Sequence, residues 1–278
     1  MTTDISLNKI NKLAIPALIA GISEPILSLT DAAVIGNVNL NPTESLAAIG
    51  IVTTFISMLI WVLGQTRSAI SSIISQHLGA NTLDKVRQLP AQAIFLITAL
   101  SIFIIVITYP FASNIFKLYN AENIILDYSV EYYRIRVIGF PFTLFVIAVF
   151  GTFRGLQNTF YPMVIAIIGA ALNVILDFLL VYGIDGVFEG LHIKGAAYAS
   201  VIAQLIMAVI AGFLLLTKTR TKKSKIVALT VNLDDIFLQK IKEYINPDYI
   251  QLHGEETPIR CENIRDKFNI PLIKGIGI

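Results

Sequence analysis

The sequence predicts an all-α membrane protein of six transmembrane helices, followed by a small β-α-β-α-β segment. Hydrophobic residues make up 55% of the 278 positions and charged residues 14%, whereas soluble domains carry about 25% charged residues. The charges are unevenly placed, since residues 226–278 hold 14 in 53 positions and the first 225 residues hold the other 26. The first part is therefore too apolar for a plain soluble globular protein, a disordered chain or a nucleic-acid binder, and the last part has a soluble composition.

Six stretches reach the roughly 20 apolar residues that a helix needs to cross a bilayer. They run approximately over 13–38, 46–75, 91–115, 132–153, 161–182 and 196–216. The first is not a cleaved signal peptide, because it is too long and carries Glu24 and Asp31. Pro16, Pro25, Pro110 and Pro141 are expected to interrupt the spans. Residues 1–217 are thus predicted to form a multi-pass transmembrane domain.

Lysine and arginine residues in the short loops predict the orientation of this domain. With six spans, the N-terminus and the tail lie on one side, which carries roughly ten basic residues against about four on the other. Both termini are therefore predicted to be cytoplasmic, and the chain is placed in the cytoplasmic (inner) membrane. Residues 218–225, KTRTKKSK, form a basic cytoplasmic linker that reads as a stop-transfer anchor, with a lipid head-group site as the alternative.

Carboxylates within spans are costly and usually functional. Asp31 lies late in the first span and Asp177 in the fifth. Asn173 comes four residues before Asp177, so the two side chains share a helix face. A carboxylate beside an amide can alternate between protonated and cation-bound forms, which is how a coupling-ion site works. The alternative is that these residues lie near the interface or hold helices together.

Other polar residues of the spans are possible substrate contacts or structural residues. Glu24 lies two turns before Asp31 on roughly the same face and is followed by a proline. Arg67 is either a snorkelling residue or the partner of a carboxylate. Arg154 is either an interface anchor or a substrate contact.

Several stretches together resemble the multidrug and toxic compound extrusion (MATE) transporters, particularly their DinF-like branch. They are PALIAGISEPILSLTDAAVIGNV, GQTRSAISSIISQHLGANTLDKVR, GTFRGLQNTFYP, and GAALNVILDFLLVYG with GAAYASVIAQ. They cover about residues 5–217 in the family's order. The resemblance implies a transporter and not an enzyme: a cation-coupled antiporter, driven by H+ or Na+ without another cofactor or metal, for efflux of drugs or other small organic compounds.

The same resemblance implies roles for individual residues. Asp31, Asn173 and Asp177 match the N-lobe cation or proton site, and Ser200 stands where a threonine hydroxyl often occurs in the family's GAAxAT. Gln76 matches the second helix and its loop as a possible substrate or structural residue. The family has twelve helices in two lobes that rock against each other, so a single lobe is expected to be truncated and to need a complementary C-terminal lobe or a second copy.

Residues 226–278 alternate between strand and helix patterns, which is typical of parallel α/β structure. The strings Val231–Asn232, YIQLHGEETP and IPLIKGIGI resemble phosphoribosylanthranilate isomerase, a TIM-barrel enzyme of tryptophan biosynthesis. Its catalytic Cys and Asp belong to strands that this segment lacks, so neither Cys261 nor His253 takes a catalytic role. The alternative reading of the chain is therefore a catalytically incomplete isomerase fragment in a chimeric or misassembled gene.

Overall fold

The computed structural model describes residues 7–38, 41–184, 186–218 and 227–275, except for the side chains of residues 9, 23–25, 27 and 28. The chain divides into two compact units, Met1–Leu216 and Thr217–Ile278. The predicted basic linker at 218–225 lies, apart from its first residue, outside the described residues.

The described part of the first unit consists of nine α-helices and a short β-hairpin. The helices are α1 (Leu7–Gly36), α2 (Pro42–Gly64), α3 (Thr66–Gly79), α4 (Leu89–Thr108), α5 (Ala112–Leu118), α6 (Asn123–Arg136), α7 (Phe140–Gly155), α8 (Phe160–Tyr182) and α9 (His192–Lys218). Between α8 and α9 the hairpin pairs β1 (Gly183–Ile184) with β2 (Phe188–Glu189) in antiparallel fashion. Short 3-10 turns occupy Leu83–Val86 and Val137–Gly139.

Five helical segments of the described chain are long and apolar enough to cross a membrane. They are Pro42–Gly79, Leu83–Thr108, Asn123–Gly155, Phe160–Tyr182 and His192–Lys218. In chain order, each of these segments overlaps one of the second to sixth predicted spans. The first predicted span falls on α1, where the described residues include the shorter apolar helical stretch Ile10–Ile22. A sixth crossing by α1 therefore stays a prediction.

The four prolines divide into two kinds. Pro110 lies between α4 and α5, and Pro141 opens α7 just after the 3-10 turn, so both stand at helix breaks as predicted. Pro16 and Pro25 lie inside the unbroken helix α1, where the expected interruption was wrong. A proline within a helix removes one backbone hydrogen bond, and packing against neighbouring helices lets the helix continue.

The fourth predicted span began too late. It was expected at 132–153, whereas the structure joins α6, the 3-10 turn and α7 into one helical segment, Asn123–Gly155. Hydropathy did not indicate where this segment begins, because the sequence of α6, NIILDYSVEYYRIR, is polar. As a consequence, Arg136 lies near the middle of the span instead of at its edge.

An aromatic cluster joins the first half of this unit. Phe55 of α2 and Phe116 of α5 meet edge to face with ring centroids 6.0 Å apart. Tyr133 of α6 packs on both rings, at 5.8 Å and 5.3 Å. Its hydroxyl donates to Thr108 Oγ1 at the end of α4. Such pairs stabilise a fold by about 0.5–1.5 kcal/mol beyond the area they bury, and this cluster fixes four helices relative to one another.

Helices α3 and α7 touch through glycine. A Cβ atom added to Gly151 would lie 2.8 Å from the Arg67 backbone oxygen, and one added to Gly155 would lie 2.7 Å from the Ile74 Cβ. Small residues let helix backbones approach this closely in membranes. This close contact therefore requires glycine, which has no side chain, at both positions.

The second unit alternates strand and helix, as the sequence predicts. Its elements are β3 (Val227–Thr230), α10 (Asp235–Tyr244), β4 (Tyr249–Leu252), α11 (Pro258–Phe268) and β5 (Leu272–Lys274). The strands form a parallel sheet in the order β3-β4-β5. Leu238 of α10 and Phe268 of α11 pack on Ile250 of β4, so one face of the sheet carries both helices.

Side-chain caps mark both helix starts in this unit. Asp234 Oδ1 accepts from the Phe237 amide at 2.9 Å, and Thr257 Oγ1 accepts from the Arg260 amide at 3.3 Å. Such caps satisfy amides that have no partner within the helix. Both were encoded locally, by an acidic residue before one helix and by the Thr-Pro pair before the other.

Glu256 joins the carboxyl ends of all three strands. It accepts from the Asn232 amide after β3 (2.8 Å) and from Lys274 Nζ on β5 (2.9 Å). Lys274 also donates to the Gly254 carbonyl after β4. The Glu256 side chain is only 4% exposed. Burial acts to raise the pKa of Glu256, but the hydrogen bonds from Lys274 and Asn232 outweigh it and leave the pKa below 4.5, its ordinary value.

Replacing Glu256 by Gln is expected to destabilise the second unit by about 1–3 kcal/mol, the net value of a hydrogen bond to a charged group. A lowered folded-state pKa stabilises the fold above the unfolded pKa, and the stabilisation is lost as the pH falls through the folded value. The wild type should thus lose stability below about pH 4.5, and the variant should lose less. Labelling of Cys261, the only cysteine, across a urea series measures unfolding of this unit.

Glu255→Gln is the matched control for that experiment, because the Glu255 side chain is exposed and only its backbone amide joins the network, through Asn232 Oδ1. It should behave as the wild type at every pH. Equal acid sensitivity of wild type and Glu256→Gln would contradict the assignment of the pH dependence to Glu256.

Candidate functional site

Two predicted site residues lie side by side on α8. Asp177 is fully buried and Asn173 is 6% exposed. Asn173 Nδ2 donates to Asp177 Oδ2 over 3.0 Å. The other carboxylate oxygen, Asp177 Oδ1, is buried and has no hydrogen-bond partner among the described residues. A buried carboxylate is costly unless its oxygens are paired, so this oxygen is an acceptor that a further ligand could satisfy.

Helix α1 brings Asp31 to the same place. The carboxyl groups of Asp31 and Asp177 lie within hydrogen-bonding range of each other. Asp31 Oδ1 is also buried, without a partner in the described part of the chain. Carboxylate oxygens only accept hydrogen bonds, so two carboxyl groups this close require a proton or a cation between them. One turn beyond Asp31, the Tyr182 hydroxyl donates to the Val34 carbonyl at 2.8 Å and fastens α1 to α8.

Two residues of α6 that the sequence analysis missed as site residues belong to these surroundings. Tyr132 is 1% exposed, and Arg136 lies one turn further along the same helix. Arg136 lies within electrostatic reach of Asp177, and Tyr132 within reach of both aspartates. The sequence could have indicated Arg136, because a charged residue within a membrane span is by default a candidate functional residue. Because the fourth span was predicted to begin at residue 132, Arg136 was placed near the membrane interface and was not recognised as a charge within the span.

Helix α9 contributes Gln204, also missed, and the predicted Ser200. With its amide oxygen turned to the donors, Gln204 accepts from Arg136 Nη1 (2.7 Å) and Thr143 Oγ1 (3.1 Å) and donates to the Gly139 carbonyl (3.2 Å). Gly139 makes this possible, because a Cβ there would overlap the Gln204 amide. Ser200 lies one turn earlier, 2% exposed, and its Oγ has no partner among the described residues.

The other predicted residues do not join the carboxyl pair in the described contacts. The side chain of Glu24 lies outside the described residues. Gln76 is exposed, and its amide reaches the Ser72 hydroxyl at 3.4 Å on its own helix. Arg67 and Arg154 are half-buried and within electrostatic reach of each other, where α3 meets α7.

An open groove of about 370 Å³ lies between α1 and α8. Its lining includes Leu29, Ala33, Phe178 and Tyr182, so it is mainly apolar and aromatic. Pockets for small organic molecules typically have such walls. In the described part of the chain, no group of three or more His, Cys, Asp or Glu residues could hold a metal ion.

The second unit matches part of a different protein. Over 52 residues it is 50% identical to N-(5'-phosphoribosyl)anthranilate isomerase of Nitrobacter hamburgensis, which is 19% of this chain and 23% of that protein. The match is short, and it supports no more than a likeness of this segment to part of the isomerase.

The first unit is similar to longer proteins. Over 206 residues it is 26% identical to the DNA damage-inducible protein F of Escherichia coli K12, covering 74% of this chain and 43% of that protein. It shares its fold with a structure described as an outward-facing multidrug resistance MATE family transporter of the MOP superfamily (TM-score 0.68, 22% identity, 77% of this chain, 46% of that one). The chain thus spans less than half the length of these relatives.

The family comparison covers the helices that carry the carboxyl pair. Residues 16–179, from α1 to near the end of α8, match the family described as MatE. This match agrees with the multi-pass helical fold and with the transporter structure of the same fold. It confirms the family that the sequence resemblance predicted for the first unit. The chain is a member of the MatE family.

Proposed function

We propose that the first unit is one lobe of a cation-coupled antiporter, driven by H+ or Na+, that exports drugs or other small organic compounds across the cytoplasmic membrane. The observation that carries this proposal is the buried pair of Asp31 and Asp177, with Asn173 beside it. The structure described as a multidrug resistance transporter supports the substrate class. In this proposal both termini face the cytoplasm, as the basic loop residues indicate.

The carboxyl pair would couple cation binding to the packing of α1 on α8. With a proton or Na+ between Asp31 and Asp177, one negative charge is neutralised and the helices stay in contact. When the cation leaves, two negative charges face each other in a medium of low dielectric constant and repel strongly. Release of the cation therefore favours an arrangement in which α1 has moved away from α8, and a substrate that binds only one arrangement is linked to the cation.

A second lobe is part of this proposal. Alternating access requires two bundles that move against each other around a shared site, and this chain spans 43% of its Escherichia coli relative. We propose that the partner is a complementary C-terminal lobe or a second copy of this chain. The groove between α1 and α8 would then form part of a cavity completed by that partner.

Flux measurements test the transport proposal. The chain is reconstituted into lipid vesicles alone, and also together with the C-terminal half of a MatE relative, and a fluorescent organic cation is the probe. A pH or sodium gradient is expected to drive dye movement when a second lobe is available. Flux no greater than in empty vesicles, in both preparations and with both gradients, would contradict the proposal.

A second candidate function rests on the parallel sheet of β3, β4 and β5 and its likeness to the isomerase. We propose that residues 226–278 derive from a phosphoribosylanthranilate isomerase through a chimeric or misassembled gene. Because that barrel needs eight strands, the segment is expected to be inactive. Detectable turnover of phosphoribosylanthranilate by the purified chain would overturn this expectation. Sequencing one intact DNA molecule across codons 215–235 distinguishes a true fusion from misassembly.

A further inference from the structure

The buried pair is not the only charge in the middle of the first unit. Arg136 ends α6 near the centre of the Asn123–Gly155 segment, and its Nε is buried without a hydrogen-bond partner among the described residues. Asp177 on α8 lies within its electrostatic reach. A guanidinium within a membrane span is costly enough to be rare, so the site around it should have a use for a fixed positive charge.

Arg136 is close to the carboxyl pair without being bound to it. The described ion pairs, which extend to 4.0 Å, do not include Arg136. With the Gln204 amide oxygen turned to the donors, Arg136 Nη1 donates to Gln204 of α9 over 2.7 Å. Gln204 is in turn fixed by Thr143 and Gly139. These partners restrain the guanidinium, and the oxygens Asp31 Oδ1 and Asp177 Oδ1 stay free for a ligand.

The charges of this cluster determine how many cations it can bind. Among the described side chains, which do not include that of Glu24, the charged or titratable groups within electrostatic reach of one another are Asp31 of α1, Tyr132 and Arg136 of α6, and Asp177 of α8, while α7 and α9 contribute the neutral Thr143 and Gln204. With both aspartates ionised and the tyrosine neutral, a single negative charge remains. One monovalent cation neutralises the cluster, whereas without the arginine two would be needed. Uncompensated buried charge is strongly unfavourable.

We propose that Arg136 is the fixed counter-charge of the carboxyl pair, a positioning residue that limits the site to one monovalent cation. The inference rests on the proposed cation site and adds its stoichiometry. When a proton is the cation, it comes from water, sits on one of the two carboxyl groups and returns to water on release. Arg136 keeps its own proton throughout.

Infrared spectroscopy of the purified full chain in sodium-free buffer near neutral pH tests the proposal. The readout is the carbonyl stretch of protonated carboxyl groups, taken as the part of the band that the double variant Asp31→Asn/Asp177→Asn lacks. The wild type should show one protonated group per chain, and each single aspartate variant none. Arg136→Gln should double the band, because both aspartates then need a proton. Arg136→Lys keeps the charge and should match the wild type.

Arg134→Gln is the matched control, because it removes the same charge from an exposed position on the same helix and should leave the band unchanged. An unchanged band in folded Arg136→Gln would overturn the counter-charge role. If Arg136→Gln does not fold, the wild type alone still tests the inference, because two protonated aspartates in the wild type would overturn it. If neither aspartate variant alters the band and sodium has no effect on it, the cation site itself fails, which is a separate outcome.

Discussion

Replacing Asp177 by Asn is expected to abolish cation binding by the first unit. The substitution keeps the size and the contact with Asn173 but removes one of two buried negative charges, so the charge of Asp31 is left balanced by Arg136. A cation bound to this variant would leave one buried positive charge without a partner, which costs about 3–5 kcal/mol and corresponds to roughly a hundredfold or more in affinity. Calorimetric titration of the purified chain with sodium chloride, with a pH indicator to count displaced protons, measures the effect.

Asp31→Asn should produce the same loss, since the two carboxyl groups act as a pair. Asn173→Ala should have a smaller effect, about tenfold, because it removes one hydrogen bond to a charged group and no charge. Asp127→Asn is the matched control, as Asp127 is exposed on α6 and should leave binding intact. Wild-type binding in Asp177→Asn would show that the pair is only structural.

Replacing Gly151 by Ala is expected to destabilise the packing of α3 on α7 in the first unit. The new Cβ would meet the Arg67 backbone oxygen at 2.8 Å, and a backbone atom cannot move aside as the end of a side chain can. Overpacking of this kind costs about 1–3 kcal/mol. The measurement is thermal unfolding of the purified chain, followed by the helical circular dichroism signal.

Gly50→Ala is the control, because Gly50 also lies within a helix, α2, but a Cβ there meets nothing within 4 Å. Alanine favours helix over glycine by about 0.5–1 kcal/mol, so this variant should melt at the wild-type temperature or slightly above. A similar melting temperature for Gly151→Ala would mean that α3 and α7 separate readily. Gly155→Ala should behave like Gly151→Ala, because its new Cβ would meet Ile74 Cβ at 2.7 Å, an atom bonded directly to the backbone.

Much of the helical framework could be predicted from composition alone. Apolar stretches of about 20 residues have few alternatives to a helix in a membrane, because the backbone must satisfy its own hydrogen bonds there. The predicted start of the fourth span was wrong because α6 is helical but polar, and its charged residues do not resemble a membrane span. The predicted interruptions at Pro16 and Pro25 were wrong for a related reason. A helix that packs against its neighbours tolerates the loss of one of its own hydrogen bonds, and the local sequence does not indicate that packing.

For the carboxyl site, the sequence by itself determined that Asp31 and Asp177 lie in apolar helical stretches and that Asn173 shares a face with Asp177, because helical periodicity is a local property. Only the tertiary structure decided that α1 packs on α8 and brings Asp31 to Asp177. It alone also brought Arg136 and Gln204 together from α6 and α9. The physical reason is that spacing along one helix follows from its geometry, whereas contact between helices depends on packing across distant parts of the chain.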